Sequence, residues 1–383
     1  MRAKCNSLRC NQLSVTKLGL MDEPASADTA PASRARLAVA VLAFCCLLWG
    51  YSFPVMKFAV AALESHLYSS PSPLPHGEGV KLPVAQQAPG LPLAYELAAN
   101  STFLGWRFLI ATGLYWLLTR THQRRYSKAE LRGGLAVGGA FAAGMLVQIG
   151  GLRYTLPSIS AFLTALVVVF APLAQAFIFR RRVGWVTWLA VAVASAGIVI
   201  LSLPNPGAVE NLPRASGSLA ANMPVPQVPP LPLLGEILTT LGAALFTAQI
   251  MCLDHYGKQG SPVRLTLVMF ATTGVLCALL GGGLGGQVIY NGAALRAILT
   301  DWSFLWPLFT LSVFSSVLAL HLMNSYQPFI APAQACVVYC LEPVFATLFS
   351  MLFQTERLTY TTVLGGAVIL AAVLLVTKPQ SDG

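Results

Sequence analysis

One acidic side chain, Glu342, interrupts the apolar run at 331–353. It lies about eleven residues from either end of that run, so a helix with a rise of about 1.5 Å per residue would hold it within a few ångströms of the midpoint. Burial without a charged partner favours the protonated carboxyl, which suits a group that gains and loses a proton. We interpret Glu342 as a proton carrier or substrate contact. The alternative is a carboxyl that neighbouring helices hold for packing specificity.

Tyr339 precedes Glu342 by one helical turn, and Pro343 follows it directly. Because proline lacks an N–H, Pro343 inside a helix would leave the carbonyl of Tyr339 without its usual partner. The spacing therefore predicts that a carboxyl, a free carbonyl and a phenol converge on one polar spot. Pro54 and Pro172 also lie inside apolar runs. For all three prolines, a hinge that lines a cavity and a fixed kink are both consistent with the sequence.

Five further side chains in apolar runs could contact a substrate or a proton. Arg107 could bind an anionic substrate group, or its long stem could carry the charge to the outer headgroups of a membrane. Trp49 could line a cavity, or it could face lipid or another helix. Gln148 and Gln249 could bind a ligand or join helices by hydrogen bonds. His321 could titrate near neutral pH, although its place near the end of a run also suits an interfacial histidine.

No catalytic pattern accompanies these residues. The sequence has no HExxH, no GxSxG and no GxxxxGK[ST] motif, and its cysteines and histidines do not show metal-ligand spacing. Rings of charge or a filter-like carbonyl loop, which a channel would need, are also missing from the sequence. We therefore expect no enzymatic activity, no cofactor and no metal.

The composition indicates an integral membrane protein. Of the 383 residues, 56% are hydrophobic and only 10% are charged, whereas a soluble domain carries about 25% charged residues. Low charge and high hydrophobicity also exclude disorder, and 8 cysteines in a chain of this length do not form a disulfide scaffold. The net charge of +10 follows from basic segments between apolar runs, so we expect no nucleic-acid partner.

The apolar runs predict ten transmembrane helices, because each approaches the roughly 20 residues that cross a bilayer. None alternates in the manner of a barrel strand. The predicted spans are 37–62, 98–119, 133–151, 158–179, 184–203, 234–253, 265–286, 304–323, 331–353 and 358–376. With both termini in the cytoplasm, the inner segments hold 17 Lys and Arg and the outer loops hold 5, which is the bias expected of cytoplasmic loops.

The chain divides into two similar halves of five spans. Residues 181–200 and 356–375 both read as a short polar turn followed by a helix of small and branched residues, and Pro172 matches Pro343 if four residues are gained or lost. We predict a cytoplasmic tail at 1–36, a first repeat at 37–203, a Pro-rich linker at 204–232, a second repeat at 233–377 and a tail at 378–383. A low-complexity periplasmic loop at 63–97 lies within the first repeat. An odd number of spans per half predicts inverted repeats, an arrangement common in secondary transporters.

The sequence resembles the EamA-type family of the drug/metabolite transporter (DMT) superfamily. The resemblance lies in Leu-Leu-Trp-Gly-Tyr-Ser-Phe-Pro at 47–54, Trp-Arg-Phe-Leu-Ile-Ala at 106–111, Leu-Glu-Pro-Val-Phe-Ala at 341–346, Glu-Arg-Leu at 356–358 and Gly-Gly-Ala at 365–367. It covers about 37–377 without the two long loops. The chain departs from the family at 180–182, where three arginines replace the usual acidic residue.

The resemblance implies proton- or exchange-coupled movement of small metabolites, often export, without nucleotide hydrolysis. We therefore predict a secondary transporter in the bacterial inner (plasma) membrane that exports a small metabolite, amino acid or drug-like compound. Its partners are a small-molecule substrate and the lipid bilayer, and it could be a monomer or a homodimer. The alternatives are a receptor or structural membrane protein, or a membrane enzyme without a recognisable motif.

Overall fold

The computed structural model describes residues 32–69, 93–120, 125–155, 157–202, 232–289, 292–353 and 359–377, and within these ranges it contains helices and no strand. The helices of the first half are α1 (Ala32–Ser69), α2 (Leu93–Thr119), α3 (Lys128–Arg153), α4 (Pro157–Thr164), α5 (Val167–Leu173) and α6 (Trp185–Ser202). Those of the second half are α7 (Pro232–Tyr256), α8 (Pro262–Ile289), α9 (Gly292–Thr300), α10 (Trp302–Thr310), α11 (Ala319–Tyr326), α12 (Pro332–Tyr339), α13 (Leu341–Leu352) and α14 (Tyr360–Thr377).

Seven helical stretches in the described part of the chain are long and apolar enough to cross a membrane. They are Ser33–Leu63, Lys128–Arg153, Ile159–Ile178, Leu233–Tyr256, Pro262–Leu284, Trp302–Phe329 and Pro332–Leu352. Two shorter apolar helices, Trp185–Ile200 and Val363–Leu375, lie in α6 and α14. The 27-residue α2 is not among these stretches, and Arg107 interrupts its apolar sequence. The predicted membrane class is confirmed, and the count of ten spans stays a prediction.

The first two helices extend beyond their predicted spans. The helix α1 begins at Ala32, inside the predicted tail at 1–36, and continues to Ser69. Because α2 begins at Leu93, the predicted loop at 63–97 is helical at both of its ends. The reason is local: no proline or glycine occurs between Pro54 and Pro71, so nothing ends α1 earlier. Residues 1–31, 70–92, 203–231 and 378–383 lie outside the described residues.

Two predicted spans are broken by a turn. In the first half, α4 ends at Thr164 and α5 begins at Val167, and a π-helical segment at Ala174–Ile178 follows. In the second half, α12 ends at Tyr339 and α13 begins at Leu341. At both turns the backbone forms tighter bonds, from the N–H of Leu166 to the carbonyl of Leu163 and from the N–H of Cys340 to that of Val337. Each broken span begins with a proline in its first turn, where the missing N–H has no helical partner.

The break in the second half lies where Pro343 would place it. The turn falls at Cys340, directly after Tyr339, whose carbonyl the missing N–H of Pro343 leaves without a helical partner. A hinge and a fixed kink at this point both stay predictions. The equivalence of Pro172 and Pro343, with four residues gained or lost, stays a prediction, and the helix bounds favour a different register. The pairs α4 and α12, and α6 and α14, begin 175 residues apart and have equal lengths of 8 and 18 residues. On this constant offset the turns coincide and the two prolines do not.

The main helix pairs join the two halves. The helix α2 packs along α8, α3 packs along α7, and α6 packs along α14. The helix α1 lies against α10, α11 and α13 of the second half, while α7 lies against α4 and α5 of the first. The core is therefore shared between the halves.

Small residues allow these three pairs to approach closely. A Cβ added to Gly105 would lie 2.9 Å from the Cα of Ala278 on α8, and one added to Gly151 would lie 2.9 Å from the carbonyl oxygen of Gly235 on α7. A Cβ added to Gly197 would lie 3.0 Å from the carbonyl oxygen of Gly365 on α14. Such backbone contact is typical of membrane helices, because lipid supplies no hydrophobic force that drives helices together.

Candidate functional site

A cavity lies between the two halves, and both helix breaks border it. The empty space between its lining residues is about 700 Å³, including the part that opens outward. The apolar part of its wall includes Phe53, Met56, Phe141, Met145 and Phe246. Its polar or polar-tipped residues are Trp49, Ser52, Arg107, Gln148, Thr164, Gln249, Ser315, Tyr339 and Glu342. Six of the seven residues that the sequence singled out as pathway candidates therefore line one cavity.

Arg107 is the buried cation of this wall. Its side chain is 2% exposed, so it does not extend to headgroups. The guanidinium donates from Nε to Ser316 Oγ at 2.9 Å and from Nη2 to Ser315 Oγ at 3.0 Å, and Nη1 lies 3.8 Å from Met56 Sδ. These partners are neutral, and no ion pair joins Arg107 to any residue in the described ranges. A guanidinium can donate five N–H bonds, so donor capacity is left for an anion.

The π-helical segment Leu311–Leu318 supplies the serines that hold Arg107. Its Ser312 donates to the carbonyl of Leu308 at 2.7 Å, and the same hydroxyl oxygen lies 3.2 Å from the carbonyl of Arg107. The carbonyl of Ser315 accepts the indole N–H of Trp49 at 3.3 Å. π-Helical turns occur frequently at functional sites, because the wider ladder re-aims side chains. Here two adjacent hydroxyls reach the same guanidinium.

Glu342 lies in the first turn of α13, directly after the break at Cys340. It is partly accessible, since it faces the cavity. Within the described part of the chain it makes neither a hydrogen bond nor an ion pair. The start of a helix favours a negative charge, whereas the apolar wall favours a neutral carboxyl. The cavity thus contains one acidic and one basic side chain that are not paired with each other.

Tyr339 contributes to the cavity in a different way from the predicted one. Its ring packs edge-to-face on Trp49, with the ring centroids 5.6 Å apart. Its phenol does not point to Glu342, because it donates to Oε1 of the buried Gln327 at 2.8 Å. The amide of Gln327 in turn lies 3.4 Å from the carbonyl of Ile250. Tyr339 and Gln327 therefore fix the end of α12 against α7.

The two glutamines of the cavity differ in their partners. Gln148 on α3 donates to Thr164 Oγ1 at 2.7 Å, and Thr164 donates to the carbonyl of Ser160 at 2.9 Å. Gln249 on α7 is 3% exposed, and its Nε2 has no hydrogen-bond partner among the described residues. The amide of Gln148 joins α3 to α4 across the cavity, whereas that of Gln249 is uncommitted.

The seventh candidate, His321, is not part of this wall. Its Nδ1 lies 2.7 Å from the phenol of Tyr115, which is buried on α2. Nearby, Asn324 donates to Thr266 Oγ1 at 2.9 Å. His321 therefore belongs to a polar cluster between α2, α8 and α11. It is neither in the cavity nor a free interfacial side chain.

Two ion pairs outside the cavity also join the halves. The carboxylate of Glu130, 2% exposed on α3, accepts two bonds from Arg264 on α8 at 2.9 and 2.7 Å. It also accepts the backbone N–H groups of Ser127 at 2.8 Å and Ser261 at 2.7 Å. Asp254 at the end of α7 accepts from Lys258 at 2.8 Å and from Arg181. Arg181 is one of the three arginines at which the sequence departs from the family pattern.

Some of these residues were not predicted from the sequence. The pair Ser127 and Glu130 matches the S-x-x-E capping box, which the structure contains at the start of α3, so a signal existed. Ser315, Ser316 and Gln327 gave no comparable signal, because neutral polar residues are common in membrane helices as helix–helix contacts.

Apolar helices of spanning length around a polar cavity define a multi-pass membrane protein, and the comparisons with known proteins identify it as a transporter. The model of the EamA-like transporter family matches residues 93–203 and 233–378. The chain belongs to this family, as its motifs predicted. Transporters of this family are generally non-enzymatic.

Named relatives and a solved structure agree with this assignment. An uncharacterized transporter of Archaeoglobus fulgidus is 24% identical over 373 residues, which is 97% of this chain and 94% of the relative. A second uncharacterized transporter of that organism is 26% identical over 120 residues, 31% of this chain and 39% of the relative. A solved crystal structure superposes with a TM-score of 0.51 and 12% identity over 90% of this chain and 96% of the other. At that identity the match supports the fold alone.

Proposed function

We propose that the protein is a secondary transporter that moves a small solute with an anionic group through the cavity, and that Glu342 couples this movement to a proton. The observation that carries the proposal is that Arg107 and Glu342 line the same cavity and that neither is ion-paired within the described residues. A buried guanidinium without a counter-ion is costly, and a carboxylate or phosphate group of the solute would offset that cost with paired hydrogen bonds.

The proton coupling rests on the position of Glu342. An acid inside a membrane span is costly and commonly serves in a proton or substrate pathway. Glu342 occupies the start of a half-helix at the break, and broken helices carry the substrate and ion sites of many secondary transporters. In this proposal Glu342 is neutral when the cavity is empty. It exchanges its proton as the solute enters or leaves.

Alternating access would come from ten spans arranged as two inverted repeats. The constant offset of 175 residues between the broken spans, and between α6 and α14, supports the repeats. The helix contacts also support them. Exchanging the halves maps the contact of α3 with α7 onto the contact of α1 with α10 and α11. It also maps the contact of α1 with α13 onto the contact of α7 with α4. A pseudo-two-fold axis in the membrane plane would relate the halves.

The proposed location is the bacterial inner membrane with both termini in the cytoplasm, and the proposed direction is export. The orientation is supported by the 17-to-5 distribution of Lys and Arg. In this orientation the ion pairs of Glu130 and Asp254 lie at the cytoplasmic ends of their helices. Export, and exchange as an alternative to proton coupling, rest on the family resemblance.

The test is solute flux into vesicles reconstituted with the purified protein, with and without an imposed pH gradient. The probes are three matched pairs of small carboxylates: propionate and lactate, succinate and malate, and norvaline and glutamine. We expect flux of at least one carboxylate, accelerated by the pH gradient. Glu342→Gln should abolish that acceleration. Arg107→Gln should raise the half-saturating concentration by roughly 10- to 100-fold, because it removes charged hydrogen bonds.

The matched control is Glu236→Gln. Glu236 is an acidic residue of α7 that does not line the cavity, so this variant should retain the response to the pH gradient. The proposal is wrong if the wild-type protein moves none of the six probes. The proposed proton coupling through Glu342 is wrong if the Glu342→Gln variant responds to the pH gradient as the wild type does.

A further inference from the structure

We infer that Gln249 is a specificity-determining residue whose side-chain amide donates a hydrogen bond to a neutral acceptor oxygen of the solute, separate from the anionic group. This inference rests on the proposed function and narrows its substrate class. The solute would be a small anion that also carries a carbonyl, amide or hydroxyl oxygen.

The hydrogen bonds of the cavity wall leave few polar groups for a solute. The indole N–H of Trp49 is taken by the carbonyl of Ser315, and the phenol of Tyr339 is taken by Gln327. The hydroxyl of Ser52 donates to the carbonyl of Trp49 at 2.7 Å. Arg107, Glu342 and Gln249 retain capacity, and Gln249 is the one of these three that does not titrate.

Among the described residues, Gln249 Nε2 is the one buried side-chain nitrogen without a hydrogen-bond partner. Gln249 lines the cavity and is 3% exposed, and neighbouring atoms cover its Nε2, which has no partner in the part of the chain that the structure describes. A turn of the amide about its broad terminal torsion would present an N–H to the cavity. A buried N–H donor without an acceptor loses its hydrogen bonds to water and gains none, so native proteins satisfy the large majority of such groups. Gln148 shows the ordinary solution on the facing helix, because its amide donates to Thr164 at 2.7 Å.

The surroundings of Gln249 suit a small solute. One turn earlier on α7, Phe246 pairs with Phe141 of α3 at a centroid distance of 5.8 Å, and both rings line the cavity. An apolar wall with one free amide would hold a carbon skeleton by contact and orient it by one hydrogen bond, which is the usual composition of a small-molecule pocket. Arg107 on α2 would hold the anionic group of the same molecule.

Such a site discriminates between solutes with and without a neutral acceptor oxygen. A site with a buried donor disfavours an analogue that lacks the acceptor, because the donor then stays unpaired. Within each probe pair, the member with the additional hydroxyl or amide oxygen (lactate, malate or glutamine; the oxygen-bearing member) should therefore bind more tightly than its partner (propionate, succinate or norvaline). We expect a preference of roughly 3- to 10-fold for at least one pair.

The experiment measures binding of the six probes by thermal stabilisation of the purified full-length protein, with half-saturating flux as a second readout. Gln249→Leu should reduce the preference within the responding pair to about one, chiefly by weakening the oxygen-bearing member. The ligand-free protein should unfold at the same or a higher temperature, because the variant removes an unsatisfied buried amide. Gln249→Met, which keeps the side-chain length, should behave in the same way if Gln249→Leu does not fold.

The matched control is Gln175→Leu. Gln175 is also a buried glutamine, 6% exposed in the first π-helical segment, but it does not line the cavity. This variant should keep the wild-type preference. An unchanged preference in both Gln249 variants would overturn the inference and leave the proposed anionic substrate intact. If the wild type responds to carboxylates without any preference, the inference is also wrong. A wild type that responds to no carboxylate would instead overturn the proposed function.

Discussion

Glu130 concentrates more hydrogen bonds on one side chain than any group in the cavity. Its two oxygens accept four donors, two from Arg264 and two from backbone N–H groups. In this ion pair the side chain of Glu130 is buried, and the side chain of Arg264 is 28% exposed. Hydrogen bonds to the charged form keep a carboxylate ionised. Glu130 therefore joins the start of α3 to the turn before α8 as a fixed anion.

Glu130→Gln should lower stability and spare the cavity. The amide of this variant keeps one acceptor oxygen and carries no charge, so Arg264 is left without its anion. Removing one member of a buried pair costs about 3 kcal/mol or more, and partial exposure of Arg264 lowers that figure to about 2 kcal/mol. Thermal unfolding of the detergent-solubilised protein measures the loss.

Lys258→Met is the control for that variant. Lys258 is 28% exposed and pairs with Asp254 at four residues' distance, a contact worth about 0.3–0.5 kcal/mol. Asp254 keeps its bond from Arg181 in this variant. Equal loss of stability in the two variants would show that Glu130 contributes no more than an ordinary surface ion pair.

At the scale of elements, the contact of α1 with α13 depends on Gly50. A Cβ at this position would lie 2.5 Å from Cβ of Phe345 and 2.7 Å from the backbone nitrogen of Ala346, which is closer than packed atoms approach. Gly50 lies one residue after Trp49, and Phe345 lies three residues after Glu342. Any shift of α13 that relieves the contact also moves the cavity wall.

Gly50→Ala should therefore reduce transport and stability together. Overpacking of this kind costs about 1–3 kcal/mol. The control is Gly139→Ala on α3, where nothing lies within 4 Å of the added Cβ, so the change should be neutral or slightly stabilising because alanine favours helix. Vesicle flux and thermal unfolding provide the two readouts. Wild-type flux in Gly50→Ala would mean that α1 and α13 separate without cost.

The helix break of the second half illustrates what sequence alone could predict. Charged and amide groups inside apolar runs are costly, so Glu342, Arg107, Gln148 and Gln249 were recognisable, and all four line one cavity. The turn at Cys340 was recognisable in part, because Pro343 follows it by three residues and cannot donate to the carbonyl of Tyr339. The pairing of α2 with α8 lies beyond any local pattern, since it joins residues about 170 positions apart.

At the scale of the whole molecule, the proposed orientation makes a direct prediction. Reporter fusions after residue 80 and after residue 215 should both give periplasmic signals, because each point follows an odd number of predicted spans. A fusion after residue 380 should give a cytoplasmic signal and serves as the control. Cytoplasmic signals from all three fusions would contradict the inverted repeats, because the second half would then cross the membrane an even number of times.

The pairing of α2 with α8, α3 with α7 and α6 with α14 affects how the chain acquires its shape during translation. The first six helices enter the membrane before their partners have been made, so the faces around Gly105, Gly151 and Gly197 meet lipid tails at first. Lipid covers these faces nearly as well as a helix does, so the first half does not collapse onto itself before the second half has been made. The partner of α6 is α14, the last helix that the structure describes. The cavity wall needs the chain only as far as Glu342 in α13. A message cut short before α13 therefore yields a protein without its complete cavity, whereas one cut short between α13 and α14 leaves α6 without its partner.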